Sequence, residues 1–189
     1  MKGCSILVIV CDIDNCTNNL QEIVTRLFNK RNGTEYTLDD FTDYNVENVL
    51  PVQEAIEMKK IYSELGLYKN IKPIAGAQEG LQKLIDNGHN VYLATDAIPS
   101  TYAEKVEWVN HFFPFVDNSH IIAIKHKDLL RCDVMIEDNL HNLLHGVHYE
   151  RICMDYPWNR GVYDWVYDIH RCSNWDEIVD VVNEINERE

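Results

Sequence analysis

Two carboxylates one residue apart, Asp12 and Asp14, follow directly on an apolar run from Ile6 to Val10. A run of β-branched residues and leucine is typical of a strand that is buried on both faces of a parallel sheet. Because side chains alternate along an extended chain, positions 12 and 14 point the same way just beyond the strand. Two like charges held together there repel each other unless a cation lies between them, which favours a divalent metal. Taken alone, the pattern also fits a strand that ends in an ordinary Asp/Asn turn.

Further polar groups flank the later apolar runs. Thr95 closes the run 90–95, and Lys125 and Lys127 follow the run 121–124. Acidic residues stand on both sides of the next run: Asp133, Glu137 and Asp138. Each group has an ordinary interpretation by itself, as a helix cap, a solvated lysine or an acidic turn. Because parallel strands end at one edge of a sheet, where ligands bind, their joint placement predicts a shared site.

The order of the apolar runs predicts the fold class. Strands are predicted at 6–10, 90–95, 121–124, 134–136 and 151–154, and helices at 18–31, 52–65, 77–87, 101–113 and 174–189. Strands that alternate with helices from residue 73 onward are typical of a parallel sheet with crossover helices. We therefore expect a Rossmann-like three-layer α/β/α core domain formed by residues 1–14 and 73–189. Residues 15–72 hold two predicted helices and no clear strand, and we expect them to form a small helical cap over the carboxyl edge of the sheet.

The composition limits the partners and the cellular setting. The 189 residues are 46% hydrophobic and 25% charged, with a formal net charge of −14 and a pI of about 4.9. Such an acidic surface repels polyphosphate backbones, so we expect no nucleic-acid partner. The six cysteines form no CxxC pair, and neither a signal peptide nor a bilayer-spanning stretch is recognised. These features indicate a cytoplasmic protein with reduced thiols, no membrane contact and a small anionic substrate; a homodimer is left open.

The polar groups, in their order along the chain, resemble those of the haloacid dehalogenase-like superfamily of phosphotransferases. The marks of that superfamily are a hydrophobic strand ending in DxD, a Thr or Ser after the second strand, a later Lys, and an acidic pair after the fourth strand. In this chain they are residues 8–14, Thr95, Lys127 and the pair Glu137-Asp138.

Within the superfamily, the chain is most similar to the 5′(3′)-deoxyribonucleotidase family of cytosolic type C. That family carries a helical cap directly after DxD, a Pro-Ile-x-Gly-Ala turn back into the core, and a Glu-Lys-x-x-Trp-Val segment. The corresponding segments are 15–72, 73–77 and 104–109. The resemblance implies a phosphatase that hydrolyses deoxyribonucleoside monophosphates, small-molecule phosphomonoesters, to nucleoside and phosphate.

The resemblance also implies how the reaction proceeds. Asp12 would be the nucleophile and form an aspartyl-phosphate, which divides one difficult step into two. Asp14 would protonate the departing sugar oxygen and later take a proton from water. Mg²⁺ would be the cofactor, bound by Asp12, by the backbone carbonyl of Asp14 and by Asp138.

Other residues would surround the phosphate and the metal. Thr95 and Lys127 would donate to phosphoryl oxygens, and the family's segment adds Lys105 near the phosphate. Asp133 and Glu137 would orient water bound to the metal.

The chain departs from the family pattern at several positions. Asn15 replaces the usual glycine after DxD, and Asn139 stands where an arginine follows the acidic pair. Asp96 replaces the serine expected beside Thr95, and its carboxylate would repel a phosphate dianion. The acidic pair itself is Glu-Asp instead of Asp-Asp. Two alternatives stay open: the same chemistry on another small ester, such as a sugar phosphate or a 3′-phosphate, and a catalytically silent interaction protein.

Some side chains have no role that the sequence fixes. Four aromatic residues in the predicted cap could stack on a base or pack within the cap: Phe41, Tyr44, Tyr62 and Tyr68. His141 and His145 share one helix face and could bind Zn²⁺, although a solvated helix face is the simpler interpretation. The role of the loop 157–160 is left open.

Overall fold

A six-stranded parallel sheet forms the centre of the computed structural model, which describes residues 5–96, 98–146 and 148–188. The strands are β1 (Val8–Asp12), β2 (Asn90–Thr95), β3 (Ile121–Ala123), β4 (Val134–Glu137), β5 (Glu150–Met154) and β6 (Ile169–Cys172). Their order is β3-β2-β1-β4-β5-β6, and all neighbouring strands are parallel. The chain runs outward from β1 through β2 and β3, then crosses over to β4. The carboxyl ends of β1 and β4 therefore meet at the topological switch point, where open α/β sheets bind ligands.

Helices cover the sheet and fill the segment after β1. They are α1 (Leu20–Asn32), α2 (Val52–Tyr62), α3 (Ala77–Asp86), α4 (Pro99–Phe112), α5 (Leu140–His145), α6 (Asp164–Tyr167) and α7 (Trp175–Arg188). Among the described residues, no helix combines the length and the apolar character that crossing a membrane requires.

The core lies on both faces of the sheet because side chains alternate along each strand. Ile9 and Cys11 point to the face covered by α3, α4 and α7, whereas Val10 belongs to a second cluster with Leu143 of α5. On the first face, the Trp175 ring lies so close to Gly80 that a Cβ at position 80 would meet it at 2.5 Å. The predicted three-layer α/β/α parallel fold is confirmed.

The segment predicted as a cap leaves and re-enters the core at adjacent points. Asn18 and Pro73 form an isolated antiparallel bridge, and the Ile74 amide donates to the Thr17 carbonyl at 3.0 Å. Between these points lie α1, α2 and three short 3-10 helices at 38–40, 46–48 and 67–70.

Several element boundaries differ from the prediction. The second helix ends at Tyr62 instead of 65, and a left-handed Gly66 (φ 83°) then opens the 3-10 helix 67–70. The edge strand β6 was not predicted, because His170 and Arg171 interrupt its apolar residues. An edge strand with half-buried polar residues lacks the continuous apolar run that marks a central parallel strand.

Candidate active site

Asp12 and Asp14 lie at the carboxyl end of β1, as predicted. Asp12 is the last residue of the strand and is buried, and the turn that follows carries Asp14. Asn15 has a positive φ of 59°, a conformation that asparagine tolerates better than most residues that have a side chain. Its amide nitrogen donates to Asp138 Oδ2 at 3.0 Å, and its amide oxygen accepts from the Gln21 backbone at 2.9 Å. The asparagine thus adopts the turn and also joins β1 to β4.

Lys127 is buried between two carboxylates. Its Nζ lies 2.5 Å from Asp12 Oδ1 and 2.9 Å from Glu137 Oε2. Glu137 also accepts a hydrogen bond from the Asn142 amide at 3.2 Å. Burial lowers the pKa of Lys127, but the charges of Asp12 and Glu137 outweigh it and raise the pKa well above its ordinary value. Lys127 therefore stays cationic, and Glu137 fixes its position.

A second ion pair lies beside the first. Lys105 Nζ contacts Asp14 Oδ2 at 2.6 Å, Thr95 Oγ1 at 2.7 Å and the Asp96 carbonyl at 3.1 Å. Lys105 comes from α4 and Thr95 from the end of β2, so two elements bring these groups to the same edge of the sheet. The structure thus places Lys105 and Thr95 side by side, as a phosphate site would require.

Asp138 follows β4 and is held by the loop 157–160, whose role the sequence left open. Trp158 Nε1 donates to Asp138 Oδ2 at 3.2 Å, and the Asn159 amide donates to the Asp138 carbonyl at 2.9 Å. Arg171 of β6 in turn donates to Asn159 Oδ1 at 2.6 Å. The loop therefore fixes both the backbone and the carboxylate of Asp138.

The carboxylates are suited to a divalent cation. Oxygens of Asp12 and Asp138 and the sulfur of Cys16 lie within 4.8 Å of one another. The cluster, buried except for the partly exposed Asp14, holds four carboxylates (Asp12, Asp14, Glu137 and Asp138) against two ammonium groups (Lys105 and Lys127). With all four carboxylates ionised, the cluster has two excess negative charges, which one divalent cation would balance; carboxylate oxygens are the ligands that Mg²⁺ prefers. The donor set therefore fits Mg²⁺, with the soft sulfur of Cys16 the one atom that such an ion does not favour.

The pKa values of the carboxylates reflect this charge imbalance. Burial, together with the charge of Glu137, raises the pKa of Asp12 to about 7. Burial and the charges of Glu137 and Asp12 raise the pKa of Asp138 well above its usual range. Burial also raises the pKa of Asp14. The positive charge of Lys105 and the hydrogen bonds from Lys105 and Tyr68 outweigh this effect, so the pKa of Asp14 is lowered overall. Asp14 is therefore compensated by Lys105, whereas Lys127 is shared between Asp12 and Glu137 and does not outweigh the effects that raise the pKa of Asp12 and Asp138.

Asp133 corrects one expectation. It precedes β4, and its Oδ2 accepts a hydrogen bond from the Val8 backbone amide at 2.7 Å, at the beginning of β1. In a parallel sheet the residue before a strand lies at the opposite edge from the residue after it. The expectation that Asp133 supports the metal site is therefore wrong; Asp133 stabilises the pairing of β1 with β4.

A cavity of about 720 Å³ lies between the sheet edge and the segment 15–72. Asp12, Asp14, Lys127 and Asp138 line its floor. The four aromatic residues that the sequence singled out in the segment 15–72 also line it: Phe41, Tyr44, Tyr62 and Tyr68. The exposed Asp96 also lines the cavity, while its carbonyl is the group that contacts Lys105.

The fold is shared with hydrolases of known structure. A haloacid dehalogenase-like family hydrolase from Xanthomonas campestris superimposes with a TM-score of 0.59 at 13% identity, covering 98% of each chain. A HAD family hydrolase from Deinococcus radiodurans, solved with bound phosphate and sodium, gives a TM-score of 0.60 at 11% identity over 97% of each chain. These superpositions show that the chain has the haloacid dehalogenase-like fold.

Sequence comparison gives the family. The family model described as "5′ nucleotidase, deoxy (Pyrimidine), cytosolic type C protein" matches residues 5–188. A Staphylococcus epidermidis relative is 25% identical over 179 residues, or 94% of this chain and 96% of that protein. The 5′(3′)-deoxyribonucleotidase of Bacillus subtilis (strain 168) is 32% identical over 114 residues, or 59% of this chain and 63% of that protein. The chain belongs to this nucleotidase family and is a phosphatase.

Sequence reasoning did not predict the side chains that hold Asp14 and Asp138 in place. Asn15, Tyr68, Trp158 and Asn159 each donate a hydrogen bond to Asp14 or Asp138. The sequence did mark Asn15 as unusual, because an asparagine replaces the glycine of the family pattern at this position. The other three come from segments whose position depends on the fold, and nothing in their spacing marks them.

Proposed function

We propose that the protein is a Mg²⁺-dependent phosphomonoesterase that releases phosphate from deoxyribonucleoside monophosphates through an aspartyl-phosphate on Asp12. The observation that carries this proposal is that two ion pairs line one cavity: the buried pair of Asp12 with Lys127 and the partly buried pair of Asp14 with Lys105. Each pair places a carboxylate for chemistry next to an ammonium group for phosphoryl oxygens. The family match supports a nucleotide as the substrate.

In the first step Asp12 attacks phosphorus, and the bond from phosphorus to the sugar oxygen breaks. Lys127 and Thr95 donate to the phosphoryl oxygens, where negative charge is redistributed. Lys105 turns from Asp14 to the phosphoryl group. Asp14, no longer paired with the ammonium group, takes up a proton from solvent water and delivers it to the sugar oxygen. The nucleoside leaves with that proton, and the phosphoryl group remains on Asp12.

In the second step water hydrolyses the aspartyl-phosphate. Asp14, now a carboxylate, takes a proton from the water as its oxygen attacks phosphorus. The acyl-phosphate bond breaks, which restores the Asp12 carboxylate and yields inorganic phosphate.

Mg²⁺ would be held by the Asp12 and Asp138 side chains and by the backbone carbonyl of Asp14. When bound, it supplies positive charge that lets an anionic carboxylate approach a phosphate dianion. Asn15, Trp158 and Asn159 keep Asp138 in place for that ion.

The segment 15–72 would act as a cap that excludes water and contacts the leaving nucleoside. Its aromatic side chains line the same cavity as the carboxylates. A cytoplasmic setting agrees with the family's description and with five buried free cysteines among the described residues. The net charge of −14 disfavours a nucleic-acid partner.

Phosphate release from a panel of esters tests the proposal. The panel contains deoxyribonucleoside and ribonucleoside monophosphates, sugar phosphates and an aryl phosphate, each assayed with Mg²⁺ and with excess chelator. We expect kcat/KM for at least one deoxyribonucleotide to exceed that for the aryl phosphate by about tenfold or more, since cap contacts add binding energy. A sugar phosphate as the best substrate would overturn the nucleotide assignment, and no release from any ester would overturn the enzymatic one.

Mg²⁺ is expected to stabilise the folded protein, because it offsets the two excess negative charges of the cluster. An ion present at a hundredfold excess over its Kd adds about 2.7 kcal/mol to the free energy of unfolding, or a Tm increase of roughly 5 °C or more. Differential scanning fluorimetry at constant ionic strength measures this increase against NaCl. Asp138→Asn should lose most of it and Asp133→Asn should keep it; an equal increase in both variants would place the ion elsewhere.

A further inference from the structure

Tyr68 connects the predicted cap to a reactive carboxylate. It lies in the 3-10 helix 67–70, and its hydroxyl donates to Asp14 Oδ1 at 2.6 Å. The side chain is 4% exposed, so water competes little for this hydrogen bond. Hydrogen bonds to charged acceptors are stronger than those between neutral groups, and burial strengthens them further.

Helix α4 fixes Tyr68 from both ends of its segment. Before it, the Gly66 amide donates to Glu104 Oε1 at 2.6 Å; after it, Trp108 Nε1 donates to the Ile71 carbonyl at 3.0 Å. Between these two contacts, Lys105 Nζ lies 5.6 Å from the centre of the Tyr68 ring. The phenol is therefore held by the same helix that carries Lys105.

The two oxygens of Asp14 have different surroundings. Oδ1 accepts from the Tyr68 hydroxyl and from the Asn18 amide, the latter at 3.0 Å. Oδ2 contacts Lys105 Nζ, which also touches Thr95 Oγ1. Lys105 can thus turn from Oδ2 to a phosphoryl oxygen beside Thr95, whereas nothing in the reaction displaces the two donors on Oδ1.

We propose that Tyr68 is a positioning residue that holds Asp14 through Oδ1, so that Oδ2 alone exchanges a proton with the leaving oxygen. The inference rests on the proposed phosphomonoesterase function. The proton passes from Oδ2 to the sugar oxygen as that oxygen receives the electron pair of the breaking P–O bond. Tyr68 keeps its own proton throughout, and its hydroxyl sets only the orientation of the carboxyl group.

Tyr68→Phe, assayed with two leaving groups, tests this role. A nucleoside alkoxide leaves poorly and needs its proton, whereas a nitrophenolate leaves readily without one. The value of kcat/KM reports the steps up to transfer of the phosphoryl group to Asp12, which include departure of the leaving group. We expect kcat/KM for a deoxyribonucleoside monophosphate to fall about tenfold or more, part of the contribution of general acid catalysis, with p-nitrophenyl phosphate changed less than about twofold.

Tyr36→Phe is the matched control. Tyr36 is a second tyrosine of the segment 15–72, its hydroxyl donates to the Glu54 carboxylate at 2.8 Å, and it is not among the residues that line the cavity. It should leave both substrates unaffected. An equal loss on both substrates in Tyr68→Phe would indicate a structural role and overturn the inference, as would no loss on either. Failure of the proposed function is distinct, because the wild-type protein would then release no phosphate from the nucleotide.

Discussion

Asp12→Asn is expected to reduce phosphate release from a deoxyribonucleoside monophosphate by about 10⁴-fold or more. The amide is a poor nucleophile and a poor ligand for a hard cation, so one change removes both the covalent step and part of the metal site. The fold should survive, because an amide can still accept the hydrogen bonds of the Ile13 backbone and Lys127. Single-turnover assays with purified protein measure the effect.

Asp133→Asn is the control for this prediction. The same chemical change is made one strand away, at the opposite edge of the sheet, where the side chain accepts from the Val8 amide. We expect it to release phosphate at the wild-type rate. If Asp12→Asn and wild type release phosphate equally well, Asp12 is not the nucleophile and the protein is not an enzyme of the proposed kind.

Lys127→Met is expected to lower the free energy of unfolding by about 3–5 kcal/mol, as removal of one partner from a buried ion pair does. The methionine fills much of the space but leaves Asp12 and Glu137 without their cation, in a site where both are buried. Urea unfolding without divalent ions measures the loss. Activity should be lost as well, because Lys127 is the ammonium group nearest the nucleophile.

Two further variants test whether Lys127→Met lowers the stability because it leaves buried carboxylates without a cation, or only because a lysine is replaced. Lys60→Met removes an exposed lysine that pairs with Glu57 on the surface of α2, and it should leave the stability nearly unchanged. Lys127→Met combined with Glu137→Leu removes one of the stranded carboxylates and should recover part of the stability but none of the activity. If Lys127→Met is as stable as Lys60→Met, the charges of the cluster do not require Lys127.

The sequence predicted the centre of the site because strand polarity alone assembles it. Once the apolar runs are recognised as parallel strands, the residues that follow them must meet at one edge. This logic places Asp12, Thr95 and Asp138 together, whereas the family resemblance selected Lys127, which lies in the 3-10 helix 127–129 beyond β3. The family resemblance added Lys105, whose contact with Thr95 depends on how α4 returns over the sheet.

The same logic should have excluded Asp133. It is as acidic as Glu137, but it stands directly before β4, whereas Glu137 is the last residue of that strand. Their spacing from the apolar run does not show which of Asp133 and Glu137 lies at the carboxyl edge of the sheet, but the direction of the strand does. Tyr68 and Trp158 could not be predicted in this way, because hydrogen bonds from loops depend on backbone paths that no periodic pattern encodes.

The bridge between Asn18 and Pro73 brings the two ends of the inserted segment next to each other. Because the chain leaves and re-enters the core at neighbouring residues, a segment of another length could replace the residues between them without changing the register of the sheet. In the proposed reaction, the side chains that act on the phosphate come from outside residues 18–73, and the aromatic side chains proposed to face the nucleoside come from inside that range. Selectivity and reactivity can therefore diverge independently, as two modules that meet at Asp14 and Tyr68.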